Sequence, residues 1–249
     1  MTIITRRTAL AGAGGLLLSG CEKITTSPTV RKVLTLGEKA TLSGQRLVTD
    51  RNALAPEFTR ADISPRFRMN GNRLPGSPEY QAHIASNFAD WKLEIGGKVA
   101  RPFSLTLAQL RTAPQRTQIT RHDCVEGWSA IAEWTGVPLG LLLRQAQVLS
   151  SAQYIVFHCA DDFSGKPYYE SIDLVDAMHP QTILAHTMNR QPLPVGHGAP
   201  IRLRVERALG YKQAKYVMKI EAVETLAGIH GGGGGYWEDH SGYQWFAGI

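Results

Sequence analysis

Cysteine is scarce: the 249-residue chain carries three, at positions 21, 124 and 159. A disulfide scaffold or a thiolate-held iron–sulfur cluster needs about four, so neither is built here. No two cysteines stand as Cys-x-x-Cys, which excludes a thioredoxin-type pair, and no Cys-x-x-Cys-His haem attachment occurs. No apolar run approaches the roughly 20 residues that cross a bilayer, which excludes a membrane-spanning helix. Blocks of like charge are also missing. With 27 Lys+Arg against 21 Asp+Glu the net charge is +6, and no nucleic-acid partner is indicated. Neither a Gly-x-x-x-x-Gly-Lys-Ser/Thr loop nor a Gly-x-Ser-x-Gly elbow is found. What remains, 43% hydrophobic and 19% charged residues, suits a globular chain.

The first 20 residues hold Arg6 and Arg7, no acid, a short apolar stretch to Leu18, and then Ser19-Gly20-Cys21. A charged start, a brief hydrophobic core and small residues before a cleavage point make a secretory signal. The paired arginines are those of the twin-arginine route, which exports folded proteins. Leu18-Ser19-Gly20-Cys21 resembles a bacterial lipobox, so residues 1–20 read as the signal and Cys21 as a lipidated membrane contact. Location in the periplasm, on the membrane, is the expectation.

Residues 21–65 show no sustained period and read as a spacer. Residues 66–225 carry the compact domain, and 226–249 a Gly-rich aromatic tail. Trp91 to Ile95 alternates as a strand, with Gly96-Gly97 turning it into a hairpin. Thr106 caps a helix over Leu107–Thr112, and Pro138 opens another through Ala146. Strands are expected at Ile119–Cys124, Tyr154–Phe157, Ile201–Val205 and Tyr216–Val223, with a short helix over Asp173–Met178. This irregular mixture gives an α+β fold, mixed sheets with short helices in a single domain.

Two stretches could carry chemistry. In Arg121-His122-Asp123-Cys124 the thiol lies at a strand-to-loop junction beside cationic neighbours, which favour the thiolate that attacks or binds metal. A buried inert thiol fits the residue types equally well, and a packed thiol is the simplest role for Cys159. A zinc site from His122, Cys124, His158 and Cys159 lacks the usual ligand spacing. The second stretch runs from Gly196 to Lys215. Arg202 and Arg204 alternate with apolar residues, and Lys212 and Lys215 follow Gly210. These cations suit a phosphate, or else form a solvated basic face.

Together these segments resemble the sulfite oxidase-type molybdopterin oxidoreductases, in particular the exported branch that includes the catalytic subunit of periplasmic methionine sulfoxide reductase. The likeness rests on Arg121 to Ser129 with Trp134 to Leu139, on Asp176 to Pro180, on His197 to Arg202, and on Gly210 to Tyr216, in that order. It implies a molybdenum–molybdopterin cofactor with Cys124 as the protein ligand to the metal. It assigns His197 and Arg202 to holding the cofactor, and Gln213, Ala214 and Lys215 to the pterin phosphate. Asn70 falls at the family's amino-terminal Asn, with Asn72 and Arg73 assisting. Cys159 stands where that branch has a cofactor-contacting Thr, so lining and packing both stay open for it. Arg121 and His122 are expected to stabilise the thiolate and steer an oxyanion, or else to stand as salt-bridged surface residues.

The resemblance further implies oxygen-atom transfer to or from a small sulfite- or sulfoxide-like substrate, with electrons exchanged through a cytochrome b or c. The chain lacks the immunoglobulin-like dimerisation domain of true sulfite oxidases, so a monomer is expected. The tail, similar to a Gly-Tyr-Trp-Glu ending of the family, is expected over the site entrance, with a docking surface as the alternative. Rival readings are a lipid-anchored binding or assembly protein without turnover, and a hydrolase using Cys124 with His122.

Overall fold

The computed structural model describes residues 27–249. The signal and Cys21 lie outside the described residues. A boundary between two compact units falls after Asp50. Before it lies α1 (Pro28–Val48), a 21-residue helix where the sequence reading has a spacer.

Arg51–Ile249 form the second unit, a domain of mixed sheets and short helices. In chain order it contains α2 (Pro78–Ala85), β1 (Lys92–Gly97), β2 (Phe103–Thr106), α3 (Leu107–Thr112), β3 (Arg116–Cys124) and β4 (Trp128–Pro138). Then follow α4 (Leu139–Ala146), β5 (Tyr154–Phe163), β6 (Lys166–Asp173), α5 (Leu174–Ala177), β7 (Ile183–Met188), β8 (Gln191–Pro192), β9 (Arg202–Arg204), β10 (Val217–Val223) and α6 (Tyr236–Ser241). One sheet has the order β2-β1-β10-β5-β6; the other is β3-β4-β7-β8, with β9 joined to β7. β1 and β10 run parallel and the other pairs antiparallel.

Local chemistry sets the helix starts. Thr106 accepts from the Gln109 amide while the Gln109 side chain accepts from the Thr106 N–H, a reciprocal cap on α3. Ser77 caps α2 ahead of Pro78, and Asp173 caps α5. β1 continues through Gly96 and Gly97, so the expected turn comes later, after the glycines. Gly136 is a steric requirement: a Cβ there would lie 2.1 Å from the Leu184 carbonyl oxygen on β7.

The main core joins Trp91, Leu93, Leu139, Leu143, Phe157 and Ile220, all buried. A smaller cluster sets Trp134 against Ile183, Ala185 and Met188, with Phe67 packed on it. Beside this second cluster the expected solvated face of Arg202 and Arg204 does not exist. Both arginines are 0% exposed: β9 pairs with β7, and its Leu203 N–H donates to the Ala214 carbonyl at 2.8 Å, so the segment around Ala214 packs on the strand as well.

Candidate cofactor and active site

The alternation of β3 sorts its residues. Thr120, His122 and Cys124 face inward, whereas Arg121 and Asp123 face outward. Arg121 is more than half exposed and its Nε donates to Asp123 Oδ2 at 3.0 Å. It is turned away from the thiol, so no direct part at the sulfur is proposed for it. Cys124 ends β3 and its carbonyl accepts from Gly127 N–H, closing the tight turn to β4. Burial pushes this thiol up, against the thiolate expected from cationic neighbours; nearby backbone N–H groups and Arg202 work the other way. Coordination to a metal would remove that proton.

Cys124 opens into a cleft of about 660 Å³, its open side included. Asn70, Asn72, Asp161, Gln213 and Lys215 form a polar wall. Phe163, Tyr168, Tyr211, Trp237 and Tyr243 form an aromatic one. The tail supplies Trp237 and Tyr243, whose rings stack at 5.9 Å, and Trp237 also meets Phe163 at 5.2 Å. Tyr211 is pinned to the tail through its hydroxyl, which donates to the Gln244 carbonyl at 2.6 Å.

Behind the polar wall sits a concentration of positive charge. Arg204 is neutralised by Glu206 at 2.5 Å and lies 4.5 Å over the Trp134 ring. Arg202 donates to the carbonyls of His197 (3.1 Å) and Gln213 (3.4 Å), and among the described residues no carboxylate pairs with it directly. Burial, then the neighbouring Arg204, pull it down to about 9. Lys215 is held by the carbonyls of Asn72 and Gly196, and burial with Arg202 brings it down to about 7. A buried cation without a counter-ion is costly and calls for an anion. Lys212, the other expected phosphate lysine, is spoken for: Glu170 and Glu238 hold it at 2.6 and 2.5 Å.

Unpartnered buried atoms gather at this place: Asn70 Oδ1, Asp161 Oδ1, His197 Nδ1, Arg202 Nε and Gln213 Oε1. His122 Nε2 also lacks a well-formed bond although the Gln213 side chain stands beside it. Gly210 makes room for that ring, since a Cβ there would come within 2.5 Å of Nε2. Such orphans are rare in native interiors, and their clustering marks a place for a bound group. A soft sulfur, two cations without a direct carboxylate partner and several amide edges fit a metal carried on a phosphorylated heterocycle.

Residues 80–228 match the oxidoreductase molybdopterin binding domain. The chain belongs to that family. Three relatives and a solved structure are similar to it. A chain of Azospira oryzae, provisionally named protein-methionine-sulfoxide reductase subunit YedZ1, is 39% identical over 236 residues, covering 94% of this chain and 83% of its own. The protein-methionine-sulfoxide reductase catalytic subunit MsrP of Xanthomonas axonopodis pv. citri is 37% identical, with 87% and 68% covered. MsrP of Campylobacter jejuni is 30% identical, with 72% and 65% covered. The sulfane dehydrogenase SoxCD of Paracoccus pantotrophus superposes with a TM-score of 0.50 at 25% identity, over 55% of this chain and 39% of that one. The protein is thus a molybdopterin-dependent oxidoreductase with the sulfite oxidase-type fold.

Within this molybdopterin-binding domain the sequence-expected residues divide. Cys124, Asn70, Asn72, Gln213 and Lys215 line one cleft. His122, His197, Arg202 and Ala214 stand buried behind it, and the Ala214 carbonyl accepts from Leu203 N–H at 2.8 Å. Arg73 is exposed and outside the lining, close enough to depress Lys215. Cys159 lines a second hollow with Tyr80 and Met218, its thiol pushed well up by burial. Asp161 borders both hollows and was not picked out from the sequence. Its only local signal is an acid pair, Asp161-Asp162, near the end of β5.

Proposed function

We propose that this chain is an exported molybdenum–molybdopterin enzyme that reduces sulfoxides to thioethers, R₂SO + 2H⁺ + 2e⁻ → R₂S + H₂O. It would sit in the periplasm, anchored by a lipid at Cys21, and take its electrons from a cytochrome b or c. The supporting observation is the placement of the Cys124 thiol in the same cleft as Lys215 and Gln213, in front of the uncompensated Arg202. The names of the MsrP relatives supply the substrate class.

When bound, the cofactor supplies the two-electron chemistry of oxygen-atom transfer. Cys124 Sγ would hold its metal, and Arg202 with Lys215 would hold its phosphate. Asn70 and Gln213 in the wall, with His197 behind it, would offer their buried polar atoms to its heterocycle. Asn72 Nδ2 donates to Asp161 Oδ2 at 3.2 Å and fixes that carboxyl at the wall. Burial raises Asp161 to about 6, so its carboxyl holds a proton at mildly acidic pH and can deliver it to the leaving oxygen there. The aromatic wall excludes water and gives thioether substituents a sulfur-compatible surface.

The test supplies purified enzyme with a chemically reduced dye and offers free and protein-bound methionine sulfoxide. Two electrons taken from the dye for each thioether formed support the reading. Turnover with sulfite and an oxidised acceptor, and none with sulfoxides, would replace it with a dehydrogenase.

A further inference from the structure

The oxidoreductase domain leaves α1 unexplained. Val33, Leu34, Leu36, Leu47 and Val48 are each more than half exposed. At 100° per residue these five fall on one arc about 160° wide, with Gly37, Ala40 and Gly44 between them. Thr41 shares the arc, but its hydroxyl bonds back to the Gly37 carbonyl at 2.9 Å and presents its methyl. Lys32, Glu38, Ser43, Gln45 and Arg46 fall on the other side; half-buried Leu42 alone breaks the pattern. A Cβ built at Gly37 or Gly44, mid-arc, meets nothing within 4 Å. The apolar stripe is thus open among the described residues.

We infer that α1 is an interfacial helix that lies flat on an anionic lipid surface. Three observations select a bilayer as the occupant. The segment Pro28–Val48 holds four basic residues, Arg31, Lys32, Lys39 and Arg46, against the single acid Glu38, a balance complementary to anionic headgroups. No described helix is long and apolar enough to cross a membrane, which leaves the in-plane arrangement for so amphipathic a segment. Pro28 follows Cys21 by seven residues, at most about 25 Å of extended chain, so a lipid there would hold the helix against the surface. The last point rests on the proposed anchoring; the first two do not.

The test uses the cofactor-loaded chain from residue 21 onward carrying Cys21→Ser, so that no acyl chain contributes and a failure of lipidation is a separate result. Co-sedimentation is measured with vesicles of phosphatidylglycerol and of phosphatidylcholine. The expected result is binding to phosphatidylglycerol at least about tenfold tighter than to phosphatidylcholine, weakened by salt. A Leu34→Glu/Leu36→Glu/Leu47→Glu variant loses about tenfold or more of that binding with dye-linked turnover unchanged. Vesicle binding equal in the variant, or absent in the parent, overturns the inference. So does a parent that sediments as a dimer, ignores vesicles and becomes monomeric in the variant, which assigns the stripe to a second copy.

Discussion

Arg204 donates from its guanidinium to Nδ1 of His122 across 3.0 Å, inside a fully buried layer beneath the cleft. A guanidinium cannot accept a hydrogen bond, so Nδ1 supplies the lone pair. The imidazole is therefore neutral and carries its proton on Nε2, the atom beside the Gln213 side chain and Gly210. Burial and the adjacent arginines both hold His122 well below its usual range. Its part is to receive Arg204 and fix the floor behind Cys124, not to act as a cation beside the sulfur.

Arg204→Met removes the partner of both His122 and Glu206, leaving a buried carboxylate whose remaining hydrogen bond comes from Gln118. Breaking a buried pair from one side costs about 3–5 kcal/mol. Denaturant unfolding is expected to show a loss of that size. Arg204→Lys recovers little of it, because one ammonium cannot reproduce the two-pronged contact with Glu206. A loss within about 0.5 kcal/mol would mean that the layer is not what braces the site.

Asp161 gives the enzyme a pH signature. Its carboxyl is raised to about 6, chiefly by burial, so the protonated form is lost as pH rises through that value. If it delivers the proton, sulfoxide turnover falls over the same interval. Asp161→Asn abolishes that limb and slows turnover by roughly 10²-fold. An unaltered profile in the variant would remove Asp161 from the reaction.

Stability has a pH signature of its own. Burial holds His186 and His197 down to about 4 from an ordinary 6.5. The unfolded chain then binds more protons than the folded one between those values, so stability is full above about 6.5 and lost as pH falls toward 4. His186 is the accessible test, being bonded to Gln115 Oε1 and Thr187 Oγ1 at 2.9 Å each, away from Cys124. His186→Gln is expected to flatten part of the acid slope in thermal melts. A slope identical to the parent's would show that this histidine titrates normally.

The tail is fastened by a buried ion cluster. Lys212 bridges Glu170 on β6 and Glu238 on α6, and Trp237 next door lines the cleft. Lys212→Met leaves two carboxylates facing each other without their cation, at a cost of about 3–5 kcal/mol. Hydrogen exchange is expected to quicken over residues 236–241. Adding Glu170→Gln and Glu238→Gln to that variant restores most of the loss, since no charge then remains buried. Unchanged exchange in Lys212→Met would mean the aromatic contacts alone hold the tail.

Local features of the fold could be read from the chain, because neighbours in sequence decide them. The Thr106 cap, the start at Pro138 and the end of a strand at Cys124 are of this kind. α1 escaped because two glycines sit mid-stripe and Leu42 lies off it, which breaks an apolar count along the sequence while leaving the arc intact. Arg202 and Arg204 were half legible: their alternation was visible, their burial was not, since Trp134 and His122 come from other segments. For Lys212 the missing information was Glu238, 26 residues on and brought back by the tail. The cofactor-facing residues stood out only as a set in order, because each alone is an ordinary Asn, His or Lys.

The central claim is that Cys124 binds molybdenum in this cleft, and the most direct measurement is the molybdenum and pterin content of the folded, exported protein and of its Cys124→Ser variant, with electron paramagnetic resonance after partial reduction. The account predicts near-stoichiometric metal and pterin in the parent, a molybdenum(V) signal, and loss or marked alteration of that signal in the variant. A metal-free parent, or a variant whose signal is indistinguishable from the parent's, would contradict it.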